Sequence, residues 1–141
     1  MSVSFTKRFI SQGAANLAVQ EALAHAAENG WQVAVVVVDP GGHMVAAGRM
    51  DGAAAAVADF ALDKARTAVL GKTTRAFAER MLSAPALQMG LANRPNLCAW
   101  DGGMPILEEG QLIGAIGVSG AAGPDDILCA EAGVRAIGLN A

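Results

Sequence analysis

Apolar positions change their period several times along this chain, and each change marks an element. From Gly13 to Asn29, Ala15, Ala18, Val19, Ala22, Leu23 and Ala26 recur at helical spacing, and Asn29-Gly30 provides a stop. His25 lies at the flank of that stripe. A run of valines follows, Val33 to Val38 interrupted only by Ala34, with apolar residues on both faces; this predicts a central strand covered on both sides. Pro40-Gly41-Gly42 reverses the chain, and the return from His43 to Gly48 delivers Arg49, Met50 and Asp51 at its end.

Helical spacing resumes over Ala53–Leu70, closed by Gly71, with Val57, Phe60, Ala61 and Ala68 on one side and Lys64 in the same sector. Thr73 or Thr74 caps a third helix through Leu82. Ser83 to Pro95, with Pro85, Gly90 and Pro95 as breakers, reads as irregular. The last third predicts a meander of three strands, Leu97–Trp100, Met104–Glu108 and Gln111–Ser119. Pro105 places the second of these at an edge or at its own entry, and Gly114 and Gly117 mark close approach of another backbone or a ligand. Pro124-Asp125-Asp126 opens a final helix to about Leu139. The resulting expectation is one α+β domain over residues 1–141 with a mainly antiparallel five-stranded sheet.

Composition narrows the function classes. Of the 141 residues, 53% are hydrophobic, 16% charged and 4% aromatic, which excludes disorder and points to close helix packing through small side chains and to self-association. The net charge of −3, without a basic run, lacks the footprint of a nucleic-acid binder. No stretch is long enough to cross a bilayer and no signal segment stands out, so a cytoplasmic protein is expected. Cys98 and Cys129 are far apart and read as free thiols.

Several motifs fail on inspection. Gly71-Lys72-Thr73 lacks the glycine of a phosphate loop, since Arg66 stands there, and it follows a helix. Two histidines without a third ligand make no zinc pattern, and Ser119 lacks both the nucleophile-elbow frame and a base nearby in sequence. Arg49, Asp51 and Lys64 are more informative. As a site, Arg49 and Lys64 present cationic donors to a carboxylate, reinforced by the first-turn amides of the second helix, with the three groups meeting at one edge of a pocket. As structure, Asp51 caps that helix, Arg49 ends a strand, and Lys64 snorkels or pairs with Asp51 or Asp101. His25 and His43 are the candidate axial ligands for a haem, with Met44 and Met50 behind them.

Val36-Val-Val-Asp-Pro-Gly-Gly42, Arg49-Met-Asp-Gly52, Asp63-Lys-Ala-Arg-Thr-Ala68, Gly102-Gly-Met-Pro-Ile106, Gly110 to Gly120, Asp125-Asp126 and Ala130-Glu-Ala-Gly133 occur in this order. The ordered set resembles the haem-degrading domain family, which includes GlcG/HbpS-type haem-binding proteins and the C-terminal domain of PduO-type cobalamin adenosyltransferases. The resemblance spans roughly Ser11 to Leu139, and Ser83 to Cys98 departs from the family pattern. It implies a profilin-like α/β/α sandwich and homo-oligomers from dimer to octamer. It places the shared polar positions at Arg49, Asp51, Lys64 and the Gly102-Gly103 turn. Some members bind haem, one extracellular branch partners a redox-sensing kinase, and others are encoded among genes for catabolism of small acids and aromatics. Two functions therefore stand. One is an oligomeric small-ligand binder, with haem or another tetrapyrrole as ligand. The other is a cofactor-free isomerase, lyase or hydratase, or an accessory protein, in which Arg49 holds a carboxylate and Asp51 or Lys64 moves a proton.

Overall fold

A computed structural model describes residues 1–141. Ser11 starts the first helix, α1 (Gln12–Glu28), by accepting a hydrogen bond from the Ala14 amide at 3.2 Å, and so meets one of the orphan donors of the first turn. The valine run becomes β1 (Ala34–Val38), buried at every position. Asp39 then organises the reversal: its Oδ1 accepts from the Gly41 and His43 amides at 2.8 and 3.2 Å, while Gly42 takes φ of +82°. β2 (Met44–Arg49) returns antiparallel to β1, with a register shift between Val37 and Val38.

Three helices follow, α2 (Ala55–Ala68), α3 (Thr74–Leu82) and α4 (Pro85–Leu91). Thr73 is the cap of α3, its hydroxyl accepting from the Ala76 amide. β3 (Gly103–Glu108), β4 (Gln111–Ser119) and α5 (Gly123–Ala136) complete the chain. The strands lie in the order β2-β1-β4-β3, all antiparallel.

Helices cover both faces of this sheet. Val35 and Val37 of β1 face α1 and α5, joining Ile106, Ile116 and Val118 against Ala18, Ala22, Cys129 and Val134. Ala34, Val36 and Val38 face α2, where Ala61, Ala65 and Ala68 form a wall of small side chains. Gly117 explains how α2 comes so near: a Cβ there would run into the Ala61 carbonyl oxygen and meet the Ala65 nitrogen at 2.7 Å. The central, doubly covered strand and the α/β/α layering agree with the sequence.

Three expectations are corrected. The sheet has four strands, not five, because Leu97–Trp100 joins no ladder. There the Cys98 amide donates to Thr67 Oγ1 at 2.8 Å and Trp100 packs edge-on against Phe60, with ring centroids 5.2 Å apart, so side chains hold the segment in place of strand pairing. The stretch read as irregular contains α4, which Pro85 opens from the first turn, where a missing N–H costs nothing. Asp51 does not cap α2; the N-cap is Ala54, which has no side-chain acceptor to offer.

Candidate functional site

Lys64 is the most buried charge on α2, with 2% of its surface exposed. Its ammonium donates to the Val118 carbonyl at 2.8 Å, to Ser119 Oγ at 3.2 Å and to Asp126 Oδ2 at 3.2 Å. Those three bonds use all three of its protons. Asp126, equally buried on α5, accepts the Ala121 amide on its other oxygen at 3.0 Å. Burial pushes the Asp126 carboxyl above the usual carboxylate range, and the neighbouring ammonium opposes that shift. Lys64 therefore neither snorkels nor pairs with Asp51 or Asp101. It ties α2, β4 and α5 together inside the molecule. Ser119, dismissed in the sequence for want of a base, lies beside an amine, but that amine is already paired and the hydroxyl is buried.

The Gly102-Gly103 turn lies directly over this cluster. A Cβ on Gly102 would come within 3.2 Å of Lys64 Nζ and 3.0 Å of Asp126 Cβ, and would strike the Val118 carbonyl oxygen. The Gly103 amide donates to Thr74 Oγ1 at 2.9 Å. Outside the turn is a cavity of about 140 Å³ lined in part by Arg75, Met104, Ile127 and Glu131. Its charges are already matched: Arg75 grips Asp101 at 2.6 Å and Glu131 pairs with Arg135 at 3.3 Å.

Arg49 ends β2 on the opposite edge of the sheet from β3, exposed and without an acidic partner. Its pairing with Ala34 puts it on the α2 side, as Ala47 is by pairing with Val36. Because α2 packs mainly over β1 and β4, this side of β2 stays open. The result is a shelf of about 260 Å³ floored by Ala34, Val36 and Ala47, walled by Ala58, Asp59 and Leu62, with Arg49 lining it. Met44, 55% exposed, also lines the shelf. No cavity contains both Arg49 and Lys64, so the three charged residues do not converge. Asp51 sits exposed in the turn after β2.

The candidate iron ligands are scattered. His25 belongs to α1, which packs on the other face of the sheet, and its ring lies 6.1 Å from that of Trp31. His43 is 82% exposed at the side chain and folds back over the turn, with Nδ1 3.5 Å from Asp39 Oδ1. The Met50 sulfur is engaged, accepting from the Val33 amide at 3.4 Å. Met44, a secondary candidate in the sequence, is the sulfur that faces the open shelf.

Two other clefts are less suited to an acidic ligand. The one beside Trp31, Gln32, Gly52 and Gly120, about 380 Å³, has no charged side chain in its lining. The one between Phe60, Leu91, Leu97 and Trp100 offers only Asp63. No group of three or more His, Cys, Asp or Glu side chains is placed to hold a metal, and no helix is long and apolar enough to cross a membrane.

Comparison with known proteins places this geometry in a family. Residues 10–135 match the family described as "Haem degrading protein HbpS-like". Protein GlcG of Escherichia coli (strain K12) is 37% identical over 114 residues, covering 81% of this chain and 84% of that protein. The crystal structure of Klebsiella pneumoniae protein ORFY superposes with a TM-score of 0.91 at 28% identity, covering 98% of this chain and 97% of that one. A double mutant of Streptomyces reticuli HbpS superposes with a TM-score of 0.85 at 32% identity, over 94% and 89% of the two chains. The chain belongs to the HbpS-like haem-degrading protein family.

Proposed function

We propose that this protein binds a tetrapyrrole, haem by preference, on the open shelf of β2, and that it does so as a cytoplasmic homo-oligomer. The observation that carries the reading is the unpaired Arg49 guanidinium at one end of an apolar shelf whose other end carries the exposed Met44 thioether. A haem has a flat apolar ring, two propionates and an iron that accepts a soft axial ligand. The residues present fit each part. Ala34, Val36, Ala47 and Leu62 suit the ring face. Arg49 suits a propionate, which a guanidinium can bind with two parallel hydrogen bonds. Met44 and Arg49 lie at the two ends of β2 and line the same shelf, because the register shift near Met44 takes up one residue and brings both to the α2 side.

In this reading Met44 would hold the iron through its exposed thioether. His43 reaches the iron only by turning away from Asp39, and His25, on the far face, takes no part. Bound haem would supply redox-active iron, while the chain supplies the apolar floor, the cation and the sulfur. The free thiols Cys98 and Cys129 fit a reducing compartment.

The catalytic alternative, a cofactor-free enzyme or accessory protein of small-acid catabolism, has less support. It needs a proton-moving group beside Arg49; Lys64 is bonded elsewhere with all three protons and Asp51 lines no cavity, which leaves Asp59 on the shelf wall as the one carboxylate there.

Hemin titration followed by visible absorption tests the proposal. Saturable binding with a Soret shift is expected in the wild type. Met44→Leu should change the spectrum, and Arg49→Ala should weaken affinity about tenfold, the loss of about 1.4 kcal/mol. A wild type that shows no saturable spectrum contradicts the reading.

A further inference from the structure

The cleft between α2 and the segment Leu97–Trp100 has a volume of about 300 Å³, at the small end of ligand pockets, and its walls are fixed to one another. Phe60 and Asp63 stand one turn apart on α2, and both line it. Thr67, one turn further along the same helix, holds the facing segment by accepting the Cys98 amide at 2.8 Å. Trp100 and Phe60 meet nearly at right angles, 86° between ring planes. A perpendicular pair occupies at most one face of each ring, so Trp100, which is 59% exposed, keeps a face free of Phe60.

The one charge in this lining is negative, and it is unmatched. Asp63 enters no ion pair. Arg66, close enough for its charge to act on Asp63, turns its Nε to the Gly42 carbonyl at 3.3 Å. Lys64, next to Asp63 in sequence, spends its three protons on Val118, Ser119 and Asp126. Burial pushes the Asp63 carboxyl above the usual carboxylate range; Arg66 opposes that shift and Asp59 adds to it. The rest of the lining is uncharged: Leu91, Leu97, Ala99 and the Cys98 thiol, which burial keeps protonated at neutral pH.

An aromatic face attracts a cation through its quadrupole, and a partly desolvated carboxylate attracts it through its charge. We propose that this cleft binds a small organic ammonium ion, with its nitrogen between the Asp63 carboxylate and the Trp100 ring and its hydrocarbon body against Leu91 and Leu97. A neutral molecule of the same shape gains the apolar contacts alone, and an acid is repelled by Asp63. A divalent metal ion finds a single carboxylate where it needs several oxygens. The cleft shares no lining residue with the β2 shelf, so the proposal stands apart from the haem reading. Leu91, Leu97 and Cys98 come from the stretch that departs from the family pattern, and neither Lys64 nor the Gly102-Gly103 turn lines the cleft.

Benzylammonium is the probe, titrated calorimetrically into the full chain, with benzyl alcohol and benzoate as its neutral and anionic counterparts. Saturable binding of benzylammonium alone is expected. Asp63→Asn and Trp100→Leu should each weaken it by about tenfold or more. Asp63→Asn preserves the side-chain shape, so the test survives if Trp100→Leu loosens the segment; circular dichroism checks that each variant is folded. Trp31→Phe leaves Trp100 as the only tryptophan, and benzylammonium should still change the indole emission with the same saturation. The proposal is overturned by an absence of saturable binding, by benzyl alcohol or benzoate binding as tightly, or by full affinity in folded Asp63→Asn. It is overturned equally if the emission of Trp31→Phe does not respond.

Discussion

Lys64 and Asp126, 62 residues apart, meet at 3.2 Å in the interior, each with 3% of its side chain exposed. An ion pair this deep is a poor source of net stability, because each charge loses its hydration, yet it is costly to break by half. The resemblance assigns Lys64 to the shared polar positions, and the geometry makes it a positioning residue that fixes α2 against β4 and α5.

Lys64→Met should therefore lower unfolding stability by about 3–5 kcal/mol, because it strands the Asp126 carboxylate. Lys64→Met combined with Asp126→Leu should recover most of that loss. Urea unfolding of the single and double variants measures both. Additive losses would show that the pair is not coupled.

Gly117→Ala should cost up to about 3 kcal/mol despite adding only a methyl group. The new Cβ points into the Ala61 carbonyl and Ala65 nitrogen, which are backbone atoms of α2 that cannot turn aside. Gly71→Ala is a useful contrast. Nothing stands within 4 Å of its Cβ, so its cost comes only from the positive φ of +91°. Thermal unfolding of the two variants separates steric from conformational cost.

Burial pushes the Cys129 thiol up to about 11 from a usual value of 9.0, so the folded state prefers the neutral form. Its contribution to stability is complete below about pH 9 and is lost as pH rises through about 11. The wild type should lose stability over that window relative to Cys129→Ala. At pH 8 Cys129 should resist a thiol reagent until the protein unfolds, and Cys98, also raised by burial, should react more slowly than a free thiol.

Much of this architecture is legible in the residues. The valine run, the Pro40–Gly42 reversal, the Thr73 cap and the glycines of β4 carry local signals, and each appears where its chemistry requires it. Leu97–Trp100 misleads because a short apolar run has no period of its own; a hydroxyl on Thr67 and the ring of Phe60 decide its conformation. Pro85 reads as a breaker and acts as a helix start, a distinction that depends on which side the helix lies.

The site is less legible. Helical projection places Lys64 on the packed side of α2, but its partner is a long-range contact. Asp126 reads locally as an acid complementing a helix N-terminus. Arg49 can be found from its place at a strand end. That its guanidinium lacks a carboxylate, and that Met44 shares its shelf, follow from the register of β2 on β1 and from where α2 stops.

The most direct test compares hemin with its dimethyl ester, in which both propionates are masked, on the wild type and Arg49→Ala. If Arg49 anchors a propionate on the β2 shelf, the wild type binds hemin about tenfold more tightly than the ester, and Arg49→Ala binds the two alike. Equal affinity of the wild type for both ligands, or a preference for hemin that survives Arg49→Ala, would contradict it.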